Sequence, residues 1–246
     1  MRFIDSHVHV SEYREQPGWA ALARSSGTLM LSCGVDRATS LATLKLAEEE
    51  PGLVRAFVGI HPSEALSEGD PGWFEGALER ATGAGELGLD PKYSDPGPGT
   101  PQAATFGRQL EGAERAGKPV QVHSRGAERR CLDALGSHKL KGVVMHWFQD
   151  EGLLREVCDR GYFVSFGPAL IHSKRLQRMA ALAEPSLVLA ESDGPVGFGA
   201  LEGAGGPALV PSVAFRLAEL WGAGFEEARE RLVKNGLAYL GTSGKT

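Results

Sequence analysis

Short apolar runs alternate with longer amphipathic stretches eight times along this chain, and that rhythm constrains the fold more than any other feature. The runs read RFIDSHVHV, TLMLSCG, VRAFVGI, GAGELGL, KPVQVHS, KGVVMHW, GYFVSFG and SLVLAES. Runs of this length bounded by turn residues read as strands buried on both faces. The stretches between them carry helix signals. TPQAATFGRQLEGAERAGKP offers Thr100 as N-cap, Pro101 in the first turn, Phe106, Leu110 and Ala113 at helical spacing, and Gly117 as a stop. SKRLQRMAALAEP opens at Ser173, turns Leu176, Met179 and Ala180 inward and ends before Pro185. PSVAFRLAELWG and FEEARERLVKNGLAYLG close the chain as two further helices. Eight strand–helix alternations in 246 residues predict an α/β fold, a (β/α)8 TIM barrel, whose usual size is about 250 residues. An open doubly wound sheet would bring a Gly-x-Gly-x-x-Gly turn after its first strand, and none is present. No linker or repeat divides the chain, so residues 1–246 read as a single barrel domain.

Composition sets the chemical context. A formal net charge of −5 provides no global positive field for nucleic acid. Three cysteines, Cys33, Cys131 and Cys158, lack the paired spacing of a metal site and suit a reducing, cytoplasmic setting. The N-terminal segment has no apolar signal core, and no stretch is long enough to span a bilayer.

A barrel gathers its strand ends at one mouth, and polar residues stand at those ends here. His7 and His9 lie in the first run, where alternation would turn them with Asp5 to one side. His61 follows the third run in GIHP, Glu86 lies in the fourth, and His123 ends the fifth with Arg125 just beyond it. His146 ends the sixth and Asp193 follows the eighth. Each residue alone has an ordinary structural reading, as a core histidine, an exposed acid or a cap. Six imidazoles and carboxylates converging without an ion would carry a large desolvation cost. His7, His9, Glu86, His123, His146 and Asp193 exceed the three protein ligands usual for one catalytic zinc. They suffice for two ions sharing a bridging carboxylate. Such donors suit Zn, Mn, Fe or Co better than Ca, with Mg still open. Asp5 is expected to support the strand end.

In this order and spacing, DSHVH, GIHP, GELGLD, VHSR, MHWF and ESDGP resemble the TatD-like metal-dependent hydrolases, TIM-barrel members of the amidohydrolase superfamily. The resemblance covers nearly the whole chain. It implies a centre of two divalent ions (Zn, Mn or Mg), with His7, His9 and Asp193 on one, His123 and His146 on the other, and Glu86 bridging. A hydroxide held between them would attack, Asp193 would orient or deprotonate it, and His61 and Arg125 would contact a substrate phosphate. The implied activity is that of a deoxyribonuclease, a 3′→5′ exonuclease cleaving phosphodiester bonds of short or single-stranded DNA. The same centre would also serve amide, lactone or aminoacyl-ester substrates. A barrel that merely binds metal would show a missing or blocked ligand, and this sequence shows none. The chain departs from the family pattern at the rim. It reads His-Trp-Phe-Gln-Asp from His146, Ser-Asp-Gly-Pro around Asp193, and VGFGALEGAGGPALVP in the loop within residues 194–211, with no basic residue there. Two basic clusters, Arg125, Arg129 and Arg130, and Lys174, Arg175 and Arg178, read either as a rim for nucleic acid or as solvated helix faces. Trp147, Phe148, Tyr93 and Phe198 are the aromatics available for stacking. Oligomeric state is left open.

Overall fold

The computed structural model describes residues 1–13, 16–67, 72–196 and 205–242. Eight parallel strands pair in chain order: β1 (Phe3–Val8), β2 (Thr28–Cys33), β3 (Val54–Val58), β4 (Gly83–Gly88), β5 (Val120–His123), β6 (Val143–His146), β7 (Phe163–Phe166) and β8 (Val188–Ala190). Helices alternate with them: α1 (Gln16–Ser26), α2 (Arg37–Glu49), α3 (Trp73–Arg80), α4 (Pro101–Ala116), α5 (Glu128–Leu135), α6 (Leu154–Asp159) and α7 (Lys174–Leu182). Two more, α8 (Val210–Trp221) and α9 (Phe225–Tyr239), follow β8. This is the expected (β/α)8 barrel. The local signals act where they stand. Thr100 Oγ1 accepts from the Ala103 amide, and Gly117 ends α4 at φ 60°. Ser173 caps α7 in the same way.

Alternation sorts the strand residues into two cores. Val120, Val122, Val143, Met145, Val164 and Phe166 pack outward against the helices. Leu29, Leu31, Phe57, Val144, Phe163 and Leu189 form an inner cluster with Ile4 and Tyr239. Tyr239, near the end of α9, stacks 6.1 Å from the Phe57 ring and donates its hydroxyl to the Val120 carbonyl at 3.0 Å. The start of β5 is thereby tied to the last helix, and the opposite end of the strands is left for polar groups.

Two strands break the alternation, and both breaks aim a polar side chain. The β1–β2 register shifts between Asp5 and Val8, and the β4–β5 register shifts between Ala84 and Leu87. Such irregularities redirect side chains near functional sites. Strict alternation from Ile4 would turn His7 away from the inner cluster, yet the shift brings it into the mouth. Leu87 likewise packs in the outer core, and Glu86 takes the inward position. The expectation that Asp5, His7 and His9 share a strand face is therefore corrected. β1 ends at Val8, and His9 lies beyond it as the residue before a short 3-10 helix. At the end of β4, Gly88 has φ 152°, and a Cβ there would collide with the His123 carbonyl. Only glycine lets β4 approach β5 so closely at this level.

The seam between β1 and β8 closes just past β8. The Asp193 amide donates to the His7 carbonyl at 3.0 Å, and the His9 amide to the Gly194 carbonyl at 2.7 Å. Asp5 supplies a rung from its side chain, accepting from the Ser192 amide at 2.8 Å and the Ser192 hydroxyl at 2.5 Å. Among the described residues no helix is long and apolar enough to cross a membrane. Replacing Asp5 with Ala orphans the buried Ser192 amide at this seam. Stability is expected to fall by about 2–3 kcal/mol, read as a lower midpoint in urea unfolding.

Candidate metal centre

The structure brings all six expected donors together. His7 Nε2 and His9 Nε2 lie 3.2 Å apart. Glu86 Oε2 is 3.5 Å and 3.4 Å from these two nitrogens, and Asp193 Oδ1 is 3.7 Å and 3.5 Å from them. An ion about 2.0–2.1 Å from tetrahedral donors needs donor–donor edges of about 3.3–3.4 Å, and the His7, His9 and Glu86 atoms, at 3.2–3.5 Å from one another, match that spacing for three donors. The other Glu86 oxygen, Oε1, faces His123 Nδ1 at 2.6 Å and His146 Nε2 at 3.8 Å. His146 Nε2 is also 3.9 Å from Asp193 Oδ1. Register explains part of the convergence, because His123 and His146 are direct partners across β5 and β6.

Each of these four imidazoles turns one nitrogen to the centre and has the other held by an acceptor. His7 Nδ1–H donates to Gln121 Oε1 at 2.6 Å, and His9 Nδ1–H to the Cys33 carbonyl at 3.1 Å. His123 Nε2–H donates to Asp90 Oδ2 at 2.8 Å, and His146 Nδ1–H to Glu191 Oε2 at 2.9 Å. This fixes the ring plane of each histidine and, whenever the ring is neutral, favours the tautomer that leaves the centre-facing nitrogen free, as metal-binding imidazoles require. The donor set therefore fits a metal centre on its own chemistry.

His61 behaves differently. It stands after β3, where the Ser63 amide donates to its Nδ1 at 3.2 Å. The neutral ring therefore carries its proton on Nε2, which is 3.8 Å from Glu86 Oε1. Burial pulls its pKa down to about 4, so it stays a neutral donor near pH 7. Arg125 is committed to Asp90, with Nη2 2.6 Å from Oδ2 and one third of the side chain exposed. Arg125 is thus both a partner in a rim ion pair and a guanidinium near the mouth.

Electrostatics follow from the packing. Burial alone would raise Glu86, but His61, His7 and His123 overcome it and hold the carboxyl well below the ordinary range. At Asp193 burial also opposes ionisation, and His146, His9 and His7 outweigh it, so the pKa is lowered. Burial would lower His123, but Glu86 and Asp90 on its two nitrogens raise it to about 9.

Sequence reasoning missed the outer supports Gln121, Asp90, Cys33 and Glu191. Gln121 and Glu191 sit two residues before His123 and Asp193, the spacing of one strand face, and a polar residue at that offset inside an apolar run was the available signal. The basic clusters are largely matched by acids. Arg129 pairs with Glu156 at 2.6 Å and Asp133 at 3.5 Å, and Arg178 with Glu151 at 3.3 Å. Tyr93 is exposed at the rim, its ring 5.4 Å from that of His61, with the Arg125 guanidinium 5.7 Å from its centroid. Phe198 and residues 197–204 of the altered loop lie outside the described residues.

A (β/α)8 barrel with a buried histidine–carboxylate cluster at the C-terminal ends of its strands defines a class of metal-dependent hydrolase. The model of the family described as TatD related DNase matches residues 4–241, and the chain belongs to that family. Human Deoxyribonuclease TATDN3 is 27% identical over 212 residues, 78% of this chain and 77% of that protein. The 3′-5′ ssDNA/RNA exonuclease TatD of Edwardsiella piscicida is 33% identical over 141 residues, 54% of this chain and 53% of that protein. The fold matches the crystal structure of YJJV, a TatD homologue from Escherichia coli K12, with a TM-score of 0.84 and 23% identity over 97% of each chain.

Metal should stabilise this protein markedly. At 100 times its dissociation constant, a divalent ion is expected to add about 2.7 kcal/mol. Calorimetry of chelator-treated against Zn- or Mn-loaded protein should then show Tm rising by roughly 5–10 °C.

Proposed function

We propose that the chain is a dinuclear metal-dependent phosphodiesterase that removes nucleotides from the 3′ end of short or single-stranded DNA. The observation that carries this reading is the division of Glu86, whose Oε2 faces His7 and His9 while Oε1 faces His123 and His146. In this reading His7, His9 and Asp193 would hold one ion and His123 and His146 the other, with the two oxygens of Glu86 available to both and Zn, Mn or Mg as the metal. When bound, the ions would supply an activated water and polarise the scissile phosphoryl group. Asp193, kept ionised by its histidine neighbours, orients the attacking water and takes its proton. His61 Nε2–H donates to a non-bridging phosphate oxygen, and Arg125 offers its exposed nitrogens to another. Asp90 holds His123 in place from behind. The names of the human and Edwardsiella relatives support the choice of nucleic acid over carboxyl esters. We take residues 1–246 as one domain, acting in a reducing, cytoplasmic setting that suits three free thiols.

The direct test is metal content, together with turnover of bis(p-nitrophenyl) phosphate and of end-labelled single-stranded DNA in Mg, Mn and Zn. About two ions per chain and stepwise shortening of 5′-labelled DNA are expected. Two ions without phosphodiester cleavage would overturn the nuclease reading. Metal-replete Asp193→Asn should keep its fold and lose about 10²–10⁴-fold in kcat; retained kcat would remove Asp193 from proton transfer. Arg125→Ala should raise KM for DNA roughly tenfold, the loss of a charge-assisted contact, with kcat changed little. A fall in kcat together with lost metal would instead show that Arg125 acts through Asp90 and His123.

A further inference from the structure

Beside the metal centre lies a recess of about 90 Å3 that none of the steps above uses. Trp147, Phe166, Pro168, Ala169, Leu176 and Val196 give it apolar walls, and Asp193 borders it directly. Ser165, Gln149, Glu191, Ser192 and Asp193 add polar side chains to that lining, and of these five Ser165 is the one with an orphaned buried oxygen. Ser165 is 4% exposed, and its Oγ has no hydrogen-bond partner. Buried hydroxyls are normally satisfied, so an orphan lining a cavity points to a ligand that completes it. Backbone conformation marks the edge that this recess shares with the metal centre. Among the described residues Trp147 at φ 47° and Asp193 at φ 50° are the non-glycine residues in the left-handed region, and both line this recess. Such strain persists where the surroundings enforce it, typically at ligand sites. Trp147 stands edge-on to His146, with ring centroids 5.9 Å apart at 86°, so the indole reaches from the metal cluster to the recess.

We propose that this recess is the subsite for the nucleobase of the nucleotide whose phosphate occupies the metal centre, an inference that rests on the phosphodiesterase reading above. A flat, mostly apolar ring with a hydrogen-bonding edge fits the walls, and Ser165 Oγ meets that edge. A sugar would press several hydroxyls against walls that are mostly apolar, and an aliphatic chain would leave Ser165 unsatisfied. Base–aromatic contact tolerates any base, since every base has a π-face. The recess therefore grips a terminal nucleotide without reading its sequence.

Two p-nitrophenyl phosphodiesters that differ only in the base-bearing group test this, thymidine 5′-p-nitrophenyl phosphate and methyl p-nitrophenyl phosphate. Wild-type protein is expected to favour the thymidine ester in kcat/KM by roughly 10- to 100-fold, the range of one base–aromatic contact. Ala169→Phe, which places a ring in the recess, should bring that ratio to within about threefold of unity. Ser165→Ala, a change that preserves the packing, should lower it about fivefold. Binding to metal-loaded protein gives a readout independent of turnover. Thymidine 5′-monophosphate should bind more tightly than inorganic phosphate by a similar factor in calorimetry, and Ala169→Phe should abolish the difference. If the wild type prefers neither thymidine compound, the recess is not a base subsite, even where phosphodiesters are cleaved. A preference that survives Ala169→Phe and Ser165→Ala places the base elsewhere and also overturns the proposal. If base-dependent binding is lost in Ala169→Phe while neither ester is hydrolysed, the subsite stands and the phosphodiesterase reading falls.

Discussion

Five imidazole nitrogens lie within 3.8 Å of the Glu86 carboxylate, which is 3% exposed at the mouth of the barrel. A carboxylate so far from water must be matched by positive charge, and the surrounding architecture is organised to supply it. The histidines supply it in part when protonated, and divalent cations bound between them would supply it in full. β4 pays for the position of Glu86 with a broken ladder, and β5 draws close only because Gly88 has no side chain. The register shift in β4 places this one acid at depth, and the polar mouth above an apolar interior is built around it.

Around the carboxylate, orientation matters as much as proximity. An imidazole free to rotate would present either nitrogen, and the donor polyhedron would blur. Gln121, the Cys33 carbonyl, Asp90 and Glu191 each hold the far nitrogen of one histidine. Three of these four acceptors come from strands or from the residue just after one, so the rigidity of the sheet passes directly to the rings. Asp5 extends the same logic to the seam. Its two bonds to Ser192 set the short segment that ends in Asp193, whose left-handed backbone has no glycine to ease it.

Most of the scaffold was legible in the sequence because its signals are local. Thr100, Pro101, Gly117 and Ser173 mark helix ends by chemistry that needs no tertiary context, and apolar runs mark strands buried on both faces. The convergence of His7, His9, Glu86, His123, His146 and Asp193 was legible once eight strands were counted, since a barrel leaves strand ends one common place to meet. The register shifts at Asp5–Val8 and Ala84–Leu87 were not. A shift is a bargain between neighbouring strands, and strict alternation misassigns His7 and hides why Glu86, rather than Leu87, turns inward. Asp90 was hidden for a related reason. It lies beyond its strand, and its importance comes from lying behind His123 and against Arg125, a contact that links residues far apart in sequence.

The rim shows how little of substrate recognition can come from long-range charge. Arg129 and Arg178 are matched by Glu156 and Glu151, Arg130 lies 3.9 Å from Asp95, and Arg125 is tied to Asp90. Exposed pairs of this kind are worth little to stability but cancel each other's field beyond a Debye length. With a net charge of −5, the protein has no overall excess of positive charge to draw in long duplexes. In the phosphodiesterase reading proposed above, recognition would then be local, through a phosphate at the buried centre and the groups beside it. Trp147, where the chain departs from the family pattern, and the unpartnered Ser165 hydroxyl lie beside that centre. Under that phosphodiesterase reading, a substrate presenting one phosphate at its reacting end would suit this buried centre better than a long duplex, whose many phosphates would meet a protein of net negative charge.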